Sequence, residues 1–233
     1  GPPPCTTGLT ITQSGALDLD LKIVTISGRL TRNGQKLPDA PSTLADRGRL
    51  EFSDPRSGTV ATLPFAAKGE ATYQTELVAG TYDLYLRPGC QAPVAGAPVP
   101  CYNPRFLLRL GQSLTQSGAL DLDLKIVTIS GRLTRNGQTL PDAPPSLADR
   151  GRLEFTQPGG GTVATLPFSA KGEATYQTEL VAGTYDLYLR PGCQAPVFGA
   201  PVPCYNPRFL LRQGQSLTQS GALDLDLKIV TIS

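Results

Sequence analysis

Residues 15–35 read GALDLDLKIVTISGRLTRNGQ, and the same letters return at 118–138. The stretch starts a third time at Gly221 and runs as GALDLDLKIVTIS to Ser233. Leu17, Leu19, Leu21 and Ile23 alternate with Asp18, Asp20 and Lys22, the period of two expected of a strand with one buried face. After Ile23 the apolar positions change phase to Val24, Ile26 and Leu30. One register cannot serve one core in that way, because a slip of one residue turns every side chain to the opposite face. Either a β-bulge sits at Ile23–Val24, or the strand leaves one core there and enters another. At about 3.3 Å per residue, Leu17–Arg32 would extend roughly 50 Å, longer than one sandwich. The second option also explains why the whole stretch recurs. On that reading Leu17–Ile23 closes one domain and Val24–Arg32 opens the next, with no linker between them.

Working outward, the offset from Gly15 to Gly118 to Gly221 is 103 residues each time. Between Thr12 and Leu114 the first unit differs from the second at ten positions, among them Lys36/Thr139, Asp54/Gln157, Arg56/Gly159, Ala95/Phe198 and Leu110/Gln213. A period this long is too great for a solenoid whose repeats share a core, and it fits domains strung in tandem. Further strands are expected at Arg49–Ser53, Thr59–Phe65, Ala71–Leu77, Thr81–Arg87 and Arg105–Leu110. Asn33-Gly34, Asp54-Pro55, Lys68-Gly69, Ala79-Gly80 and Pro88-Gly89 mark the turns between them. No window carries a helical apolar period with a cap. The pattern predicts an all-β chain of tandem antiparallel β-sandwich domains, immunoglobulin-like or transthyretin-like, sharing a long junction strand. The expected divisions are a leader with a surplus strand at 1–23, a first sandwich at 24–126, and a second at 127–233. Leu50, Phe52, Tyr82, Leu84, Leu86 and Phe106 are the expected core.

Composition narrows the chemistry. The 233 residues include no His, Met or Trp, and 21 basic residues stand against 19 acidic ones. The first fact removes imidazole catalysis and His-ligated metals; the second leaves no electrostatic footprint for nucleic acid. No apolar run reaches the ~18 residues of a membrane span. No G-x-S-x-G elbow or phosphate-binding loop is present, and a Ser or Cys nucleophile would lack its usual base. No enzyme and no cofactor is expected. Asp18 with Asp20, and Asp121 with Asp123, share a strand face and read as its solvated side rather than as a Ca²⁺ site. Asp46-Arg47 and Asp149-Arg150 read as local ion pairs. Lys22, Asn103 and Glu76, repeated as Lys125, Asn206 and Glu179, hold the residue types of an internal isopeptide bond, although Lys22 faces the polar side of its strand.

Five cysteines are present. Cys90 and Cys101 are eleven apart, Cys193 and Cys204 repeat that spacing, and each pair flanks a Pro/Ala/Gly loop that a disulfide would staple. Disulfides imply an oxidising compartment, so an extracellular or cell-surface location is expected. Cys5 has no counterpart in either unit and is read as a candidate inter-chain link, with a lipid-attachment cysteine and a spare thiol as the alternatives.

IVTISGRLTRNGQKLPD, GRLEF and GTYDLYLRPG together resemble the transthyretin-like or carboxypeptidase-regulatory-like β-sandwich modules of bacterial surface proteins. Ile26, Gly28, Leu30, Asn33 and Gly34 match the opening strand and turn; Gly80, Tyr82, Leu84 and Leu86 match the closing strand. The resemblance implies a non-catalytic stalk, adhesive or polymer-forming module. Two sandwiches need two copies of LDLDLKIVTIS and the sequence holds three, so one terminal copy is surplus. Leu17, Leu19, Leu21 and Ile23, or Leu223, Leu225, Leu227 and Ile229, are therefore the candidate assembly strands, and copies of the chain joined head to tail are the expected partners. The resulting expectation is a structural repeat protein of a surface filament or stalk. The alternative is a surface adhesin or glycan-binding module using Tyr85, Tyr102 and Phe198.

Overall fold

A computed structural model describes residues 20–92, 94–101, 105–158 and 161–230. Every helix or strand among them is a strand. The first unit holds β1 (Ile23–Arg32), β2 (Gln35–Lys36), β3 (Asp46–Asp54), β4 (Gly58–Ala66), β5 (Thr72–Val78), β6 (Gly80–Arg87), β7 (Phe106–Leu114), β8 (Gly118–Ala119) and β9 (Leu122–Leu124). The second repeats the series as β10 (Ile126–Arg135), β11 (Gln138–Thr139), β12 (Asp149–Thr156), β13 (Thr162–Ser169), β14 (Thr175–Val181), β15 (Gly183–Arg190), β16 (Phe209–Leu217), β17 (Gly221–Ala222) and β18 (Leu225–Leu227).

Each unit is a two-layer sandwich. One sheet runs β4-β3-β6-β7, antiparallel throughout. The other is built on β1, which pairs antiparallel with β5 and, past it, with the short β2. On its opposite edge β1 pairs with β8 and β9, and there the pairing is parallel. The chain therefore returns at the end of each unit to lie beside the strand that began it. Among the described residues this parallel closure is the departure from an antiparallel sandwich.

Alternation along the strands places the core. Tyr82, Leu84 and Leu86 of β6 point inward and meet Leu50 and Phe52 of β3, with Phe106 of β7 beside them. Phe52 packs edge-on to Tyr82 with 6.5 Å between ring centres, and Tyr73 stands between Phe52 and Phe65. Such tilted and edge-to-face pairs suit the ring quadrupoles. All six residues expected in the core are buried.

The junction resolves the phase change in favour of two cores. Leu122, Leu124 and Ile126 lie in the first core, whereas Val127, Ile129 and Leu133 lie in the second. The switch falls between Ile126 and Val127, the counterparts of Ile23 and Val24, and β10 pairs with β14 there without a register shift. Only Lys125 separates β9 from β10.

Arg47 and Arg150 correct one expectation. Neither pairs with the neighbouring aspartate: each is wholly buried, and its guanidinium donates to three backbone carbonyls, for Arg47 those of Leu37, Ala66 and Gly69. Asp46 pairs instead with Arg49 at 3.4 Å. Adjacent residues on a strand face opposite sides, so an i,i+1 ion pair is not available there.

Candidate assembly site: closing strand and unit junction

Two features bear on function: how each sandwich is closed, and how one sandwich is held against the next. In the closing strand Leu122 and Leu124 fill the first core, and Leu225 and Leu227 do the same in the second. Burying Leu122, Leu124 and Ile126 is worth about 5–9 kcal/mol before ordering costs. The intervening polar residues fasten β1. Asp121 accepts from the Arg29 amide at 3.1 Å and from its Nε at 3.2 Å. Asp123 accepts from the Gly34 amide at 2.8 Å and the Thr31 hydroxyl at 2.7 Å, and pairs with Lys125 at 2.7 Å. Burial alone would raise the Asp123 pKa, but these partners hold it below the ordinary carboxylate value. Its counterpart Asp226 is held down to about 2 by Lys228, the Gly137 amide and Thr134.

A glycine lets the strand approach. A Cβ on Gly28 would lie 2.1 Å from the Leu120 carbonyl oxygen, and the Tyr73 hydroxyl donates to that same oxygen. Gly131, Leu223 and Tyr176 repeat the latch. Burial raises the pKa of both tyrosines, so the hydroxyl stays a donor.

At the junction the Asn33 side chain brackets Ile126, accepting from its amide at 2.8 Å and donating to its carbonyl at 3.0 Å. The Asn33 amide donates to Leu124 O at 3.0 Å. Arg32 reaches across to Glu179 of the second unit at 2.6 Å and also donates to Pro98 O at 3.2 Å. Val181 of the second unit packs against the first core. Beside these contacts lies an open cleft of about 750 Å³, lined by Arg32, Pro38, Ala95, Gln177, Thr178 and Glu179.

The candidate residues from the sequence fall as follows. Cys90 is bonded to Cys101 and Cys193 to Cys204, with Cα atoms 5.1 and 5.4 Å apart. Cys5, Leu17 and Leu19 lie outside the described residues. Leu21 is 65% exposed although its counterpart Leu124 is fully buried. Leu225 and Leu227 are buried in their own unit, and Leu223 and Ile229 pack against that core, so the C-terminal copy is not surplus here. It is consumed within the chain because the second unit needs it to close.

Of the residues considered for an isopeptide bond, Lys125 pairs with Asp123 and Glu179 with Arg32, Asn206 is exposed, and Asn103 lies outside the described residues. Of the residues considered for a glycan, Tyr85 is capped by the Arg105 guanidinium at 3.5 Å, Tyr102 lies outside the described residues, and Phe198 is fully exposed. The bracket by Asn33 and the clamp by Arg32 leave no trace in the sequence. Asn33 carries a turn signal that hides its second role, and Arg32 and Glu179 are 147 positions apart.

No family model matches the chain, and no curated protein matches it in sequence. Among solved structures it is similar to the minor pilin GBS52 of Streptococcus agalactiae, at 12% identity over 90% of this chain and 98% of that one, with a TM-score of 0.39. It is similar to the shaft pilin SpaA of Lactobacillus rhamnosus GG, at 8% identity over 92% and 100%, TM-score 0.30. The TIE protein of Bacillus anthracis matches at 13% identity over 88% of this chain, TM-score 0.27, and the chain spans 34% of its length. None of the three approaches the identity or superposition at which function transfers.

Proposed function

We propose that this chain is a non-catalytic structural repeat element of an extracellular or cell-surface filament or stalk, in which sandwiches stack stiffly and copies join head to tail. The observation that carries the reading is the junction. A single residue, Lys125, joins two sandwiches; Asn33 brackets the next strand on both sides of Ile126, and Arg32 ties the hairpin to Glu179. A flexible tether would use Gly, Ser or Pro, and none lies between Leu120 and Ile126. The closing strand returns beside β1, so the direction of travel is kept from one unit to the next. Two disulfides within the described residues suit an oxidising compartment outside the cytoplasm.

Strand exchange, with Leu17–Ile23 entering a second copy, would have to displace Gly221–Leu227 from a groove that it already fills. Stacking end to end does not require that exchange. The reading is tested by distance measurements between spin labels placed one in each unit, together with small-angle scattering. One narrow inter-unit distance and a rod-like profile are expected; a broad spread of distances sinks the reading.

A further inference from the structure

The Arg32–Glu179 contact joins two faces, and the repeat displays each face a second time. The counterpart of Glu179 is Glu76, at the outer end of the first unit; the counterpart of Arg32 is Arg135, at the outer end of the second. Neither has an ion-pair partner among the described residues, although Arg135 still donates to Pro201 O at 3.3 Å, as Arg32 does to Pro98 O. The apolar parts of the two faces follow the same rule. Ile126 is 6% exposed and Val181 packs on the first core, whereas their counterparts Ile23 and Val78, paired across β1 and β5, are 48% and 46% exposed. Thr178 is buried at the internal joint, while Thr75 is only half-buried. Among the described residues the first unit therefore presents the carboxylate and the apolar pair, and the second presents the guanidinium and the loop that would cover them.

We infer that these ends are the two halves of one heterologous interface, and that a second copy of this chain docks its Arg135 end onto the Glu76 end of the first. Charge complementarity and continuity with the internal joint identify the occupant. The one change on the covering loop strengthens the case. Ala95 lines an open cleft at the internal joint, and Phe198 stands at the equivalent place on the outer end, fully exposed. A cleft of about 750 Å³ beside Ala95 leaves room for a phenyl ring, so Phe198 would seal at the outer joint what stays open at the inner one. Such a contact is head to tail and need not close on itself, so its repetition gives a filament.

Docking requires one local exchange. Asn136 now brackets Ile229, accepting from its amide at 2.8 Å and donating to its carbonyl at 3.0 Å. In the outer joint that bracket passes to Ile23 of the second copy. Ile229 and Val230 are the segment that yields, because they pair with no strand, whereas Ile23–Arg29 is held by seven cross-strand pairs with β5.

This inference rests on the structural reading above, and the experiment separates the two. Sedimentation velocity of the full chain over a wide concentration range is expected to show end-to-end oligomers, strengthened when residues 229–233 are removed and unaffected when residues 1–21 are removed. Glu76→Arg and Arg135→Glu should each weaken association roughly tenfold or more. The two variants mixed together, and the double variant, should recover it, which a merely structural role for either side chain would not produce. Phe198→Ala should weaken it as well. A monomer at every concentration even without residues 229–233, or oligomers indifferent to both charge reversals, overturns the inference. A monomer with a stiff junction overturns this end-to-end interface, and with it the joining of copies, while leaving the stiff stacking of the two units standing; a floppy junction overturns that stacking instead.

Discussion

The Asn33 side chain closes a two-bond bracket on Ile126, with its carbonyl on the amide and its amide on the carbonyl, at 2.8 and 3.0 Å. The bracket lies where the chain passes from one core to the next, so a side chain of the first unit fixes the first residue of the second unit's leading strand. Asn33 can do this because it sits at φ 52°, a left-handed conformation that asparagine tolerates and that turns its side chain toward the closing strand. Asn136 at φ 50° is built in the same way around Ile229.

Asn33→Gly keeps the turn conformation and deletes the bracket. Two buried or half-buried backbone groups lose their partners, and the expected cost is about 1–3 kcal/mol. Denaturant titration measures that cost, and spin-label distances between units should broaden in the same variant. Asn136→Gly is expected to leave the inter-unit distance unchanged, because its bracket is not at the internal joint. Equal broadening in both variants would contradict the role given to Asn33.

The latch around Gly28 makes a separate prediction. Gly28→Ala places a methyl 2.1 Å from the Leu120 carbonyl, which is backbone and cannot rotate away, so the closing strand must shift. The expected loss is upward of about 2 kcal/mol. Tyr73→Phe removes only the hydroxyl that donates to the same oxygen, and should cost about 1 kcal/mol. Urea unfolding of each variant, with Gly131→Ala as the equivalent in the second unit, checks the order. A Gly28→Ala protein as stable as wild type would mean that the strand does not pack against β1 in this register.

Much of this is legible in the sequence. The phase change at Ile23–Val24 encodes two cores on one run of chain, because inward-facing side chains must alternate and these stop alternating at one point. The core of β3 and β6 was readable for the same reason. What could not be read is direction and long reach. A period of two is identical for parallel and antiparallel pairing, so the parallel closure of β9 on β1 leaves no local trace. Asp121 and Asp123 look in sequence like a solvated face, and only the neighbouring strand reveals that each fastens an amide. Arg47 reads as a partner for Asp46 until the strand places them on opposite sides.

Acid should loosen the closing strands before the cores. The Asp226 carboxyl titrates at about 2, against an ordinary value near 4. A depressed carboxylate contributes stability that is fully present above the unfolded value and is lost as pH falls through the folded one. Stability is therefore expected to stay level from pH 7 to about 5 and to decline between about pH 4 and 2, with Asp123 adding to the same window. Thermal unfolding followed by circular dichroism across this range measures the decline. Asp226→Asn should flatten it and lower the melting temperature at neutral pH, since the amide cannot pair with Lys228. A wild-type curve with no slope below pH 4 would show that these carboxylates do not fasten the strand.

The two disulfides should differ in consequence although their loops are nearly identical. Each closes a loop of the same length, and removing either is expected to cost roughly 2–3 kcal/mol on the loop-entropy estimate. The Cys90–Cys101 loop has a further task. It carries Pro98, whose carbonyl receives Arg32 Nη1 at 3.2 Å while the other terminal nitrogen binds Glu179 at 2.6 Å. Holding Pro98 thus helps aim Arg32 across the joint. Replacing Cys90 and Cys101 by Ser should lower stability and also widen the distribution of inter-unit distances. Replacing Cys193 and Cys204 should lower stability by a similar amount and leave that distribution as it was, because Pro201 and Arg135 stand at the outer end. Mass spectrometry of a non-reduced digest establishes the pairing first. Finding Cys90 linked to Cys193, or an equal loss of stiffness in both double variants, would refute the coupling of the first loop to the joint.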